Sequence, residues 1–526
     1  MTTNHEPYIL AVDLGTSGCK SALVSASGQV AGWEFQEVPL YVLPNGGAEQ
    51  DPQDWWDAFL GTSKHLIEKK LVPAQDIVAV CCSTQGEGTL AVDADGNHLM
   101  NAVLWMDMRG AEHLKQITHG WLNLAGYDAR KLFRWINLTG GAPSLTGKDP
   151  AAHMLLIRDE YPDIYKKTFK FLNVLDYMNL RLTGEFVATP DSILTSWVTD
   201  NRNSAHVVYS EALLKDCGIE GNKFPEIVPC TTVIGELKRE VASALGLCDG
   251  VKVVAGAIDT TSAAIGSGAI GDYQAHLYLG TSSWIAAHVP FKKTDVGSSV
   301  ASVPCAIPNK YLMIIMQTTA GGNLSYLRDK ILYHQDELLR EEQAPDVYKI
   351  MDRIAARVPA GSHGLMYMPW IFGERSPVED RFARAALFNI SLENTREDII
   401  RAFMEGVALN TRWLLAPTEK FLRCKLTALN MVGGGAKSDV WCQIMADVMN
   451  LSIRQVQDPI QVNARGAAFI AAVGLGYMTF ADMPRHVEFQ ATYTPNPENR
   501  AVYDKLFGEF VNFYDKTKGI YRRLNG

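Results

Sequence analysis

Short apolar runs interrupted by glycine open the chain. From Tyr8 it reads YILAVDLGTSGCKSALVSASGQVAG, a pattern that predicts strand, tight turn, strand, turn and strand. DIVAVCCST predicts another strand, and GTLAVDADGNHLMNAVLW a hairpin turning on Asp95 and Gly96. Residues 54–70 carry apolar positions at helical spacing, which assigns Trp55 and Trp56 to packing on a helix face. Residues 111–205 are richer in helical pattern and read as an insertion on the first core.

The pattern then restarts. VKVVAGAIDTTSAAIGSGAIG is a β-rich run ending at an aspartate, followed by a small-residue helix. HLYLGTSSWIAAHV, YLMIIMQTTAGGNLSYL and the long helix TREDIIRAFMEGVALNTRWLL come next. LTALNMVGGGAKSDVWCQIMADVMN reads as strand, triple-glycine turn and helix, and NARGAAFIAAVGLG is the last strong element. Alternating strands and helices indicate an α/β protein. The tetrapeptide Leu-Gly-Thr-Ser occurs twice, from Leu14 and from Leu279, about half the chain apart. Single cores stop growing at about 250–300 residues, so 526 residues imply two domains. A duplicated architecture with one such turn per half follows.

Composition removes several function classes. The net charge of −9 and the lack of a Lys/Arg block argue against nucleic-acid or membrane-surface partners. The polar start MTTNHEPY does not resemble a signal peptide, and no apolar run reaches the ~18 residues of a membrane span. Nine scattered cysteines without CxxC spacing argue against disulfides and zinc and fit a cytoplasmic location. A homodimer is an assembly open to such a chain.

A Gly-Thr-Ser hairpin has a chemical use. Glycine permits close backbone approach and positive φ, and successive N–H groups with Thr or Ser hydroxyls can donate to an anion. Gly15, Thr16 and Ser17 from one half, with Gly280, Thr281 and Ser282 from the other, could grip a polyphosphate across a cleft. Asp13 precedes the first turn, where a carboxylate could hold Mg²⁺ against phosphates. Lys20 on the returning strand could reach them as a point charge. Either turn alone is more simply ordinary turn chemistry; the pairing favours phosphate. Gly433, Gly434 and Gly435, between a strand and a helix, would admit an adenine or ribose, or else form a tight corner. GAPSLTGKD (residues 141–149) nearly fits a P-loop, but Ala142 and Asp149 break it, and no dinucleotide glycine fingerprint follows the first strand.

The motifs DLGTSGCK, EQDPQDWW, LWMDMRG, DYMNLRLTGEF, GAIDTTSAAIGSG, LYLGTSS, GERSP, EGVALNTR and VGGGAKSDVWCQIMAD, in this order, resemble the FGGY carbohydrate kinases, and among them most the xylulose kinases. The resemblance implies two actin-like, ribonuclease-H-like domains, residues 1–262 binding sugar and 263–526 binding nucleotide, with ATP and Mg²⁺ in the cleft between. It implies that Asp259 is the catalytic base and also meets the sugar, and that Asp13 is the Mg²⁺-linked carboxylate. Without it, Asp259 would read as a helix cap. STQGEGT corresponds to the family's substrate loop, with Gly86 and Glu87 where xylulose kinases carry Met-His and glycerol kinases a Glu. Trp105 could lie on the sugar's C–H face, or pack in the core, and Asp107 could bind hydroxyls.

The implied activity is transfer of the ATP γ-phosphate to a small ketose, D-xylulose ahead of ribulose, glycerol or a tetritol. A sugar-sensing ATPase without transfer is the reading from another class. His153 stands where the family often has Lys, Thr260 where Asn or Gln is commoner, and Lys148 and Asp149 enter a region that usually lines the sugar. A hinge is expected between residues 259 and 272, with Gly266, Gly268 and Gly271 absorbing rotation.

Overall fold

Two sheets carry the molecule, and both are laid down in one order. The computed structural model describes residues 6–124, 126–332 and 346–526. In the first sheet Tyr8–Gly15 pairs antiparallel with Gly18–Ser25, which pairs antiparallel with Val30–Glu37. On its other side Tyr8–Gly15 runs parallel to Ile77–Thr84, that strand runs parallel to Lys252–Ile258, and Val233–Glu236 closes the edge antiparallel. In the second sheet Ala275–Leu279, Ser283–Val289 and Tyr311–Gln317 repeat the antiparallel trio. Ala428–Val432 and Ser452–Val456 repeat the parallel pair, and Phe489–Tyr493 the antiparallel edge. Two extra strands, Val300–Pro304 and Thr294–Asp295, extend this sheet beyond the trio. The central strands are buried almost end to end, as their unbroken apolar runs require for a sheet covered on both faces.

The hairpin turning at Asp95 and Gly96 is present: Gly96 has φ +85° and donates its N–H to the Asp93 carbonyl. The first helix spans Pro52–Glu68, two residues earlier than its apolar spacing predicts. Asp51 sets the start by accepting the Gln53 N–H, and Pro52 occupies the first turn, where a missing N–H costs nothing. Trp55 and Trp56 are buried on its inner face.

The helical stretch after residue 111 divides differently from its sequence pattern. Helices Ala111–Thr118, Ala129–Leu138 and Pro150–Glu160 share a separate core around Leu114, Trp135 and Leu155. Val174–Thr183 instead contributes Val174, Leu175 and Tyr177 to the core of the first sheet. Leu213 and Phe224 show that the separate core draws residues from beyond position 205. Helical periodicity gives the helices but not the core each one joins.

The helices Asp259–Gly266 and Val462–Gly474 join the halves. They cross backbone to backbone. A Cβ on Gly266 would lie 1.9 Å from the Val462 carbonyl oxygen, and one on Gly466 would lie 2.0 Å from that of Ser262. Gly266 is therefore explained by this crossing, and its glycine does not require a rotating hinge. Around the pair a shared apolar layer collects Ala11, Ala22, Cys81 and Val254 from the first sheet with Trp284, Ala286, Val432 and Val456 from the second.

Candidate active site

The shared apolar layer ends in polar residues. Ile9 and Ala11, Ala22 and Val24, and Ala79 and Cys81 face the crossing helices. Alternation places Asp13, Lys20 and Ser83 on the same face, one step further towards the first turn. There they meet the start of the helix Val462–Gly474. Lys20 Nζ bonds Asp13 Oδ2 at 3.2 Å and the Ile460 carbonyl at 2.8 Å, while Asn463 Nδ2 donates to Asp13 Oδ1 at 3.1 Å. Lys20, expected to reach phosphate, is thus engaged with Asp13 and the opposite half. Ser83 Oγ and Asn463 Oδ1 are buried without partners. No group of three or more Asp, Glu, His or Cys side chains among the described residues forms a metal cage. A single carboxylate beside unsatisfied polar oxygens suits a hydrated Mg²⁺ held mainly by phosphates, so Asp13 fits that role.

Asp259 begins its helix directly after the strand Lys252–Ile258. Burial, then the carboxylates of Asp13 and Asp191, push its carboxyl up to about 7. Asp191 is buried and accepts the Ile258 N–H at 3.0 Å and the Thr189 hydroxyl at 2.6 Å, which fixes the backbone just before Asp259. Tyr278, the residue before Leu279, is pushed up by burial and by Asp13 and Asp259. The roots of both Gly-Thr-Ser turns therefore lie in one electrostatic neighbourhood.

The loop after Thr84 supplies the other wall. A Cβ on Gly86 would meet Ile258 Cδ1 at 3.4 Å, so this loop passes beside the base. Glu87 follows at φ +62°, a conformation costly for a non-glycine residue and common at functional sites. Burial and the neighbouring Asp149 push its carboxyl up to about 7; Arg375 and Lys148 pull it back and Asp259 adds to the rise. Thr16 Oγ1 donates to Gln85 Oε1 at 2.7 Å and accepts from Trp105 Nε1 at 3.0 Å. Gln50 links the Thr16 carbonyl, Gln85 and Trp55. Trp105 remains 39% exposed, so it is a wall of the recess and not core.

Two residues take other work. Asp107 is fully buried: Oδ2 accepts the Ala48 N–H at 2.8 Å, and both oxygens bind the Arg109 guanidinium. Its expected contact with a sugar hydroxyl is corrected, because neither oxygen is open to a ligand. His153 is buried between the Thr89 hydroxyl and the Asp107 carbonyl, and burial pushes it down to about 4, which makes it a neutral strut between the substrate loop and the helix Pro150–Glu160.

On the other side, the Thr281 carbonyl accepts the Ala320 N–H at 2.8 Å and that of Gly280 the Gly321 N–H at 2.8 Å. Thr281 is exposed and Ser282 half-buried. Neither Gly15 nor Gly280 has positive φ; a Cβ on Gly280 would instead strike the Tyr278 ring at 2.5 Å. Gly433 does have positive φ, +89°, and lies against the Leu279 carbonyl. Gly435 packs on the Leu279 side chain, while Gly434 has nothing within 4 Å. Ser438 then caps the helix Asp439–Met449 through the Trp441 N–H.

Sequence reasoning missed Gln50, Gln85, Asp191, Arg375 and Asn463. Gln50, Gln85, Arg375 and Asn463 stood within quoted stretches without a role, whereas Asp191 needed long-range pairing to be seen.

Known proteins resemble this chain over nearly its whole length. The N-terminal domain of the FGGY family of carbohydrate kinases matches residues 8–266, and its C-terminal domain residues 275–475. The chain is 27% identical to a xylulose kinase of Bacillus subtilis, over 98% of both chains. It is 25% identical to a gluconokinase of the same organism, over 98% of this chain and 97% of that one. A ligand-bound xylulose kinase structure from Lactobacillus acidophilus superposes with a TM-score of 0.83 at 24% identity, covering 98% of this chain and all of the other.

Proposed function

We propose that this chain, which belongs to the FGGY family of carbohydrate kinases, transfers the γ-phosphate of ATP to a hydroxyl of a small ketose, D-xylulose first among them. The observation that carries the reading is the Asp259 carboxyl, held near neutral affinity for a proton at a strand end that both halves approach. A base poised near 7 is matched to removing the proton of a weakly acidic hydroxyl. In the productive complex the sugar hydroxyl lies against Asp259. Its proton passes to the carboxylate as its oxygen bonds the γ-phosphorus, and the bond to the ADP oxygen breaks. The backbone of Gly15, Thr16 and Ser17, with Gly280, Thr281 and Ser282, binds the phosphates, and the open space at Gly434 takes the nucleoside. Asp13 would hold Mg²⁺ through water, and the ion would supply charge neutralisation at the phosphates.

Glu87 favours a second reading within the same chemistry. A carboxyl in place of the histidine of xylulose kinases suits a polyol, as in glycerol kinases. A panel of ketoses, polyols and gluconate assayed for sugar-dependent ADP release tests both. D-xylulose is expected to give the highest kcat/KM. A polyol in first place would establish the second reading, and gluconate in first place would overturn both.

A further inference from the structure

The loop 371–377 of the second half is built to present two side chains outward. Glu374 anchors it: its buried carboxylate accepts the Thr318 N–H at 3.0 Å, the Arg375 N–H at 2.8 Å and Asn410 Nδ2 at 2.6 Å. With Glu374 fixed inward, Phe372 is 66% exposed and Arg375 is exposed. From the first half, Lys148 lies over the Phe372 ring, its Nζ 5.9 Å from the centroid. Among the described residues neither Lys148 nor Arg375 forms an ion pair, although each acts electrostatically on the other and on Glu87. Neither cation is tied to a single carboxylate, so the hydrogen-bond donors of both stay free for a ligand between them.

We propose that Lys148 and Arg375 form a recognition pair, one residue from each half, that donates hydrogen bonds to the hydroxyls of a neutral, open-chain sugar or polyol whose reacting end lies at Asp259. The inference rests on the kinase reading above and names which residues select its substrate. The neutral class follows from the acids alongside. Glu87 and Asp149 offset the two cations, and Asp149 has Oδ2 bound by Trp197 Nε1 at 2.6 Å and the Ser144 N–H at 2.5 Å. Glu379 adds a third acid acting on Lys148, and ammonium and guanidinium donors beside carboxylate acceptors suit hydroxyls, which do both. A substrate carboxylate would pair with the cations and leave Glu87 and Asp149 facing an added negative charge. Because Arg375 and Phe372 belong to the second half, their contact with the sugar also draws the halves together, so sugar binding and closure are coupled.

The test combines variants with two independent readouts. Lys148→Met and Arg375→Gln are each expected to weaken sugar binding, measured calorimetrically without nucleotide, by about 10- to 100-fold. The KM for ATP should stay within about twofold, and Lys148→Arg should restore most of the sugar affinity. Small-angle scattering should show sugar-induced compaction in the wild type and not in Arg375→Gln. Unchanged sugar affinity in both variants overturns the pair. Tighter wild-type binding of a five-carbon aldonate than of D-xylulose or xylitol overturns the neutral class. Sugar binding lost in both variants of a protein that transfers no phosphate would uphold the pair and overturn the kinase reading, so the two fail separately.

Discussion

The halves of this molecule write the same turn with different residues at its root. Asp13-Leu14-Gly15-Thr16-Ser17 opens the first, and Tyr278-Leu279-Gly280-Thr281-Ser282 stands at the matching place in the second. Strand order and pairing agree around both turns. The side chains do not: Asp13 holds Lys20 and Asn463, whereas Tyr278 stacks on Trp284 with ring centroids 3.9 Å apart. The Thr16 hydroxyl is taken by Gln85 and Trp105 on the sugar side, while Thr281 is exposed and its carbonyl is held by the Ala320 and Gly322 N–H groups. Duplication has kept the scaffold and divided the work. Around the turns, acids gather in the first half, and open space at Gly434 in the second.

The sharpest way to break this division is to remove the acid it depends on. Asp259→Asn is expected to lower kcat by about 10²–10⁴-fold with ATP affinity near normal, measured by steady-state assay and nucleotide titration. The base must be ionised, so wild-type kcat/KM should fall by about tenfold per pH unit below about 7. Stability carries the opposite sign. A folded-state carboxyl raised from 3.8 to about 7 binds its proton more tightly than the unfolded chain does. Its contribution is present below about pH 4 and is lost as pH rises through 7. Asp259→Asn should therefore melt higher than wild type at pH 8, with the gap closing towards pH 4. Near wild-type turnover in the variant would reduce Asp259 to a helix cap.

The helix crossing offers a comparison that should hold where the turns diverge. Gly266 and Gly466 occupy reciprocal positions, each against a carbonyl of the other helix. Gly266→Val and Gly466→Val should each destabilise by at least about 1–3 kcal/mol, because backbone cannot move aside for Cβ. Matching losses in urea unfolding would make the crossing symmetric in energy as well as in geometry. A tolerated valine at Gly266 would restore that residue to the hinge role.

The scaffold was legible in the sequence because its signals are local. Apolar runs, the repeated turns and the two strand-to-helix corners mark both sheets, and motif order points to the family. Asp13 could be singled out because it sits at a strand end before a glycine turn, whereas Asp259, at the junction of a strand and a helix, took its role only from the family resemblance. Asp107 was misread because its residue type fits sugar binding, while Arg109 and the Ala48 N–H, which consume it, become its neighbours only in the fold. The Lys148 contact with Phe372 joins positions more than 200 residues apart and leaves no periodic trace.

Threonine substitutions separate the two turns by ligand. Thr16→Val removes the bridge between Gln85 and Trp105 and should raise the sugar KM by about 2- to 10-fold. Thr281→Val should raise the KM for ATP by a similar factor and leave the sugar KM alone. Equal effects of both variants on both ligands would mean that the turns are not divided in their work.

The smallest effect tests the triple glycine, where three identical residues stand in three environments. Gly433 needs its glycine for the fold: φ is +89°, and a Cβ would lie 2.7 Å from the Leu279 carbonyl oxygen. Gly435 needs it for packing, since a Cβ would meet Leu279 Cδ2 at 2.5 Å. Gly434 needs it for neither, so its glycine is explained only by what approaches from outside. Gly433→Ala is expected to lose at least about 1 kcal/mol of stability. Gly434→Ala should leave the melting temperature unchanged and raise the KM for ATP only a few-fold, with Gly434→Val raising it further as the side chain fills the nucleoside's space. A melting temperature lowered by Gly434→Ala at unchanged KM for ATP would make the whole triplet a structural corner, and the nucleoside would then have to bind elsewhere in the second half.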